Sequence, residues 1–158
     1  MIKMQIKTEE GVFVPLYENN LVSGFDLMAK SFKKLFKGNK EVQLDSKLQK
    51  SLEEGYLTLR GFERVLIGTG ITADVPQGYE IQIRDRAGNA LKKGLLVANA
   101  PGTISAAYKG EITVVLINNT PFLCRVTLGD RIAQGVVTKV IHTMWEQVKE
   151  FPPSDLKD

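Results

Sequence analysis

Residues 99–111 read Asn99-Ala-Pro-Gly-Thr-Ile-Ser-Ala-Ala-Tyr-Lys-Gly-Glu111. Pro101-Gly102 is a turn dipeptide, because proline presets φ and glycine permits close approach or φ > 0. The β-branched, largely apolar run Ile112–Ile117 predicts a strand, which Asn118-Asn-Thr-Pro121 stops. Working outward, Tyr79, Ile81 and Ile83 alternate with Glu80, Gln82 and Arg84, the period of a half-buried strand. Ile132–Ile141 and Glu63–Ile71 are further strand-like runs, with Gly135 marking a bulge or close approach and Val75-Pro-Gln-Gly78 a turn. The N-terminus also alternates like a strand. Short strands at this spacing predict an all-β barrel or sandwich.

The chain has 158 residues, 43% hydrophobic and 25% charged, which suggests one soluble globular domain with a continuous core. A net charge of +3 without a long basic stripe speaks for solubility, and no nucleic-acid partner is expected. One cysteine, Cys124, excludes an internal disulfide and should pack as a small hydrophobe. One histidine, His142, excludes a histidine metal cluster. No apolar run approaches the roughly 20 residues of a membrane span, and no signal-peptide stretch opens the chain; the expected location is cytoplasmic.

Residues 30–55 break the pattern. Lys30–Lys40, with Phe32, Leu35 and Phe36 interleaved, reads as an amphipathic helix. Leu44, Leu48 and Leu52 recur at four-residue spacing between an Asp45 or Ser46 N-cap and a Gly55 stop. The stretch is expected to be a partly helical excursion inserted within the single domain, residues 1–158, and a surface for a protein partner.

Four blocks resemble, in order, the signature motifs of the deoxyuridine triphosphate nucleotidohydrolases (dUTPases). Ser23-Gly-Phe-Asp-Leu-Met-Ala29 is similar to Ala-Gly-Tyr-Asp-Leu-x-Ala, and Asp85-Arg-Ala-Gly-Asn-Ala-Leu-Lys-Lys-Gly94 to Pro-Arg-Ser-Gly-Leu-Ala-x-Lys-x-Gly. The opening stretch resembles Pro-Gly-Thr-Ile-Asp-x-Asp-Tyr-Arg-Gly-Glu, and Gly129-Asp-Arg-Ile-Ala-Gln134 matches its motif without a change. The resemblance implies a distorted jelly-roll or β-barrel, a homotrimer with pockets between subunits, and magnesium-dependent attack of water on dUTP to give dUMP and pyrophosphate. Carried over residue by residue, it gives uracil recognition to Asn99 with the backbone around Gly102 and Ile104 on a hairpin after Val97. Tyr108 would lie under the deoxyribose. Arg86, Ala87, Gly88 and Gln134 would handle the phosphates, and Asp26 would help hold hydrated Mg2+.

Several positions depart from that pattern. Ser105 stands in the place of the general-base aspartate, Ala107 in that of a second carboxylate, and Ala87 in that of a serine. A serine hydroxyl is a poor proton acceptor near neutral pH, and loss of a positioned base costs about 10²–10⁴-fold in rate. The glycine-rich C-terminal arm is expected to be missing, since the chain ends Pro152-Pro-Ser-Asp-Leu-Lys-Asp158. Asp85 and Glu111 are the nearest carboxylates by sequence to stand in for the base, although Asp85 should face away from Arg86. Asp130 and Arg131 are expected to form an ion pair across a turn, and Met144 and Trp145 to pack the last strand against the barrel or a neighbouring subunit. The leading expectation is a dUTPase-fold protein that binds a pyrimidine deoxynucleotide with weak or absent hydrolysis. The alternatives are an active dUTP diphosphatase with a relocated base, and an interaction module on the same fold that binds no nucleotide.

Overall fold

The computed structural model describes residues 2–43 and 45–151, so Leu44 and the segment Pro152–Asp158, where the arm was sought, lie outside the described residues. The chain runs β1 (Gln5–Thr8), β2 (Phe25–Met28), β3 (Ser31–Lys37), β4 (Lys40–Glu41), α1 (Ser46–Glu53), β5 (Tyr56–Leu59) and β6 (Arg64–Asp74). It continues with β7 (Tyr79–Arg84), α2 (Ala87–Lys93), β8 (Leu95–Val97), β9 (Gly102–Ser105), β10 (Glu111–Asn118), β11 (Cys124–Thr127) and β12 (Arg131–Lys139). One sheet is ordered β4-β3-β6-β10-β8 with β1 also on β6; a second is β2-β12-β7-β9; β11 and β5 make a two-stranded ladder. This is the all-β, jelly-roll class read from the sequence. Among the described residues no sheet closes on itself, so the arrangement is a sandwich and not a closed barrel.

Alternation puts the core between the sheets. Ile112, Val114 and Leu116 of β10, Ile81 and Ile83 of β7, and Leu57 and Leu59 of β5 are all buried, while their neighbours face outward. Burial pushes the Cys124 thiol above its ordinary pKa, in keeping with a protonated, apolar role. Gly135 is a close approach, as its position in the strand suggested: a Cβ there would lie 2.5 Å from the Phe25 ring. Asn118, read as a turn residue, is a buried hub. Its Nδ2 faces the carbonyls of Leu59, Arg60 and Phe122, and its Oδ1 accepts from the Thr120 amide and hydroxyl.

Residues 30–55 fold differently from the reading of Lys30–Lys40 as a helix. Ser31–Lys37 is a strand paired along β6, and only Ser46–Glu53 is helical. The reason lies in the partner. β6 offers an edge on which Phe32 and Leu35 pack inward, and pairing outweighs an intrinsic helical period when burial is available. The short helix α1 follows the expected grammar: Asp45 accepts from Leu48 N at 2.7 Å, and Gly55 ends it at φ 81°. Helix α2 was not foreseen. Its signal was present in Lys92-Lys93 followed by Gly94, two cations and then a left-handed C-cap at φ 62°.

Two substitutions test this account. Asn118→Ala strands the carbonyls of Leu59, Arg60 and Phe122, each worth about 1–3 kcal/mol, so urea denaturation should show a loss of at least about 3 kcal/mol. Gly135→Ala should also destabilise, because the Phe25 ring has to move out of the core position it fills.

Candidate functional site

Three of the four signature blocks meet at one end of the four-stranded sheet. Asp26 lies on β2, Gln134 on β12 and Arg84 on β7, in one register row. Immediately beyond that row, Arg86 precedes α2 and turns back on Asp26, with Nε to Oδ1 at 2.7 Å and Nη2 to Oδ2 at 3.3 Å. Arg131 Nη1 reaches the same Oδ2 at 3.3 Å. Two guanidinium groups thus share one carboxylate, and the cluster carries a net positive charge on a partly exposed face. An arginine fork matches a carboxylate as it matches a phosphate, so the same cluster can receive an anion.

Several neighbours tie this cluster down. Gln134 Nε2 donates to the Asp85 carbonyl at 2.8 Å. Asn89, which stands where the resemblance has a leucine, donates from Nδ2 to the Arg131 carbonyl at 2.9 Å and links α2 to β12. Ala87 and Gly88 are exposed at the start of α2, where first-turn amides have no intrahelical acceptor. The expected Asp130–Arg131 ion pair does not form. Asp130 instead accepts from Thr127 N and faces Lys93 at 3.9 Å, because turn closure draws its carboxylate back while β12 points Arg131 at Asp26.

The described residues do not form a site that ligates a metal directly. Both Asp26 oxygens are held by guanidinium groups, and among the described residues no group of three or more His, Cys, Asp or Glu is placed to hold an ion. Magnesium keeps several of its waters, so Asp26, with three donors already on its two oxygens, fits only a water-mediated contact to such an ion.

The opening stretch is not a paired hairpin. β8 pairs with β10 in one sheet, whereas β9 pairs with β7 in the other, so residues 98–101 cross the edge of the sandwich. Gly102 is needed for close approach and not for positive φ, since a Cβ would meet Ile83 and Asn99 Nδ2 at 3.3 Å. Ile104 points into the core, and β9 is a sheet edge with its outer backbone groups open. Gly102 lies one row from Gln134, and Asn99 Nδ2 is close to Gly102. Ser105 sits three residues further along, about 10 Å away, opposite Glu80.

Tyr108 lies beyond that again. Its N–H donates to the Ser105 carbonyl at 3.0 Å and its hydroxyl to the Glu111 carbonyl at 2.7 Å. No hydrogen bond or ion pair joins Tyr108 or Ser105 to the Asp26 cluster within one chain. The carboxylates offered as substitutes for the base are both committed elsewhere. Asp85 Oδ1 accepts from Val97 N, facing away from Arg86 as alternation required, and Glu111 binds Gly70 N and Lys33. Met144 and Trp145 do not pack against this chain: they are 99% and 94% exposed.

No helix among the described residues is long and apolar enough to cross a membrane.

Comparison with known proteins agrees with the motif pattern. A family profile described as dUTPase matches residues 50–158. The deoxyuridine 5'-triphosphate nucleotidohydrolase of Hydrogenobaculum sp. (strain Y04AAS1) is 36% identical over 152 residues, covering 96% of this chain and 90% of the relative. That of Fusobacterium nucleatum subsp. nucleatum is 32% identical over 157 residues, covering 98% and 92%. Among solved structures, the dUTPase of Staphylococcus bacteriophage 80alpha superimposes with a TM-score of 0.71 at 19% identity, over 96% of this chain and 99% of that one. The dUTPase from phage phi11 of S. aureus gives 0.69 at 18%, over 95% and 98%; another phi11 structure is described by its coordination of a structural Mg(II) ion. With four ordered motifs, the sandwich that carries them, and full-length relatives at this identity, the chain belongs to the dUTPase family.

Proposed function

We propose that this chain binds a deoxyuridine nucleotide, or a related pyrimidine deoxynucleotide, with weak or absent hydrolysis. The observation that carries the reading is Ser105. It is exposed on the edge strand at the position where the family motif implies the general base, and the two carboxylates nearest in sequence are locked into structural hydrogen bonds. Arg86 and Arg131, with Gln134 and the first-turn amides of Ala87 and Gly88, supply the phosphate end. Asn99 with the open backbone of β9 at Gly102 and Ile104 supplies the base end, and Tyr108 the floor under the sugar. Any Mg2+ would accompany the nucleotide phosphates, with Asp26 reaching it through water, since the protein groups do not ligate it directly.

The two halves of this pocket are separated within one chain. The reading therefore includes a homotrimer in which the Tyr108 turn of one subunit faces the Asp26 cluster of its neighbour. Such an assembly also gives the exposed Met144 and Trp145 a surface to cover. Residues 30–55, with α1 projecting from β5, remain the surface proposed for a protein partner within a single-domain, cytoplasmic protein.

A second reading, an active dUTP diphosphatase, has one specific support. Glu80 is the cross-strand partner of Ser105, so its carboxylate shares that face of the sheet. It also accepts from Gln82 Nε2 at 2.8 Å and Thr138 Oγ1 at 3.3 Å, which hold it in place.

Pyrophosphate release from each deoxynucleoside triphosphate separates the two. The parent chain should be slower than Ser105→Asp by about 10²–10⁴-fold on dUTP. Equal and substantial rates in both would overturn the binding reading, and their loss in Glu80→Gln would establish the second. Light scattering should give a trimer mass; a monomer that binds nucleotide tightly would overturn the shared pocket.

A further inference from the structure

The centre of β6 departs from regular pairing on both edges at the same place. Against β3, the partners step from Phe32↔Ile67 to Lys34↔Leu66, leaving Lys33 as the extra residue of a bulge. Against β10, they step from Glu111↔Thr72 to Thr113↔Gly68, so β6 itself carries the surplus through Thr69, Gly70 and Ile71. The backbone groups released there are satisfied locally. Thr69 Oγ1 donates to the Ile112 carbonyl at 2.7 Å and accepts from Ile71 N, and Gly70 takes φ 69°. Bulges re-aim side chains, and these two aim Lys33 and Glu111 at each other across β6.

The resulting contact is tightly built. Lys33 Nζ lies 2.7 Å from Glu111 Oε2, while Glu111 Oε1 accepts from Gly70 N at 2.7 Å. The hydrogen bond it donates to the Glu111 carboxylate holds the Lys33 ammonium above the ordinary lysine pKa. The pair crosses directly over Gly68: a Cβ there would sit 2.4 Å from Glu111 Oε1 and 2.5 Å from Lys33 Cε. The main chain of Glu111 is therefore fixed from its own side chain. That main chain in turn accepts the Tyr108 hydroxyl at 2.7 Å, and a Cβ on Gly110 would lie 2.8 Å from the ring carbon bearing that hydroxyl.

We infer that Lys33 and Glu111 are positioning residues that set the tilt of the Tyr108 ring, and through it the preference for a deoxyribose over a ribose. The inference rests on the reading of Tyr108 as the sugar floor. Neither side chain need touch the nucleotide. Lys33 fixes the Glu111 carboxylate, the carboxylate fixes the carbonyl, and the carbonyl fixes the phenol. A ring held at one height excludes a 2′-hydroxyl; a ring free to tip admits it.

Calorimetry with the α,β-imido analogues of dUTP and UTP tests this on the full-length chain. The parent should favour the deoxy analogue by about 10²-fold, the range over which a pocket rejects an added hydroxyl. Lys33→Ala should cut that ratio about tenfold, the net worth of one hydrogen bond, mainly by tighter UTP-analogue binding, and Lys33→Arg should restore it. Tyr108→Phe removes only the exposed hydroxyl and should give the same loss, with no further loss in the double variant. It stands in should Lys33→Ala fold poorly. An unchanged ratio in both single variants, whatever happens to Tm, overturns the inference and leaves the nucleotide site intact. A parent chain that binds neither analogue brings down the site and this inference together.

Discussion

One carboxylate facing two guanidinium groups is the constraint around which this end of the molecule is arranged. Asp26 sits on an edge strand, Arg86 at the entry to α2 and Arg131 at the start of the central strand β12, so a single anion draws together three elements distant in sequence. Among the described residues no other carboxylate is in contact to neutralise the surplus positive charge. Asp85 is turned to the Val97 amide and Asp130 is folded into its own turn. The cluster thus keeps its arginines ordered while leaving them short of counter-charge, which suits capture of a polyanion. Pre-ordering of this kind reduces the entropy lost when a ligand arrives.

Much of the fold was legible because its signals are local. Alternation in Tyr79–Arg84 and Ile112–Ile117 reports a two-sided strand whatever it pairs with, and Asp45 and Gly55 mark α1 by capping chemistry alone. Lys30–Lys40 misled because its apolar residues suit either period, and the deciding factor, an open edge of β6, lies some thirty residues away. Arg131 misled for a similar reason. Sequence proximity favoured Asp130, while the partner it takes is on the first signature block.

The site was legible only in its parts. Motif identity named Asp26, Arg86, Asn99, Gly102, Tyr108 and Gln134, but no spacing rule shows which of them share a face. The register does: Gln134 and Asp26 share a row, Gly102 lies one row away, and Ser105 and Tyr108 lie beyond. Lys33 carried no motif signal at all. Its role follows from a bulge, and a bulge is a property of two strands and not of one.

The signature stretch enters from one sheet and leaves along the other, with β8 and β9 on opposite sides of the sandwich. Such a segment is a seam and not a flap. It cannot swing open alone, because either end drags a ladder with it. The amides it bonds into those ladders should accordingly exchange with solvent only when the two layers part, which ties the geometry of the stretch to the stability of the whole body.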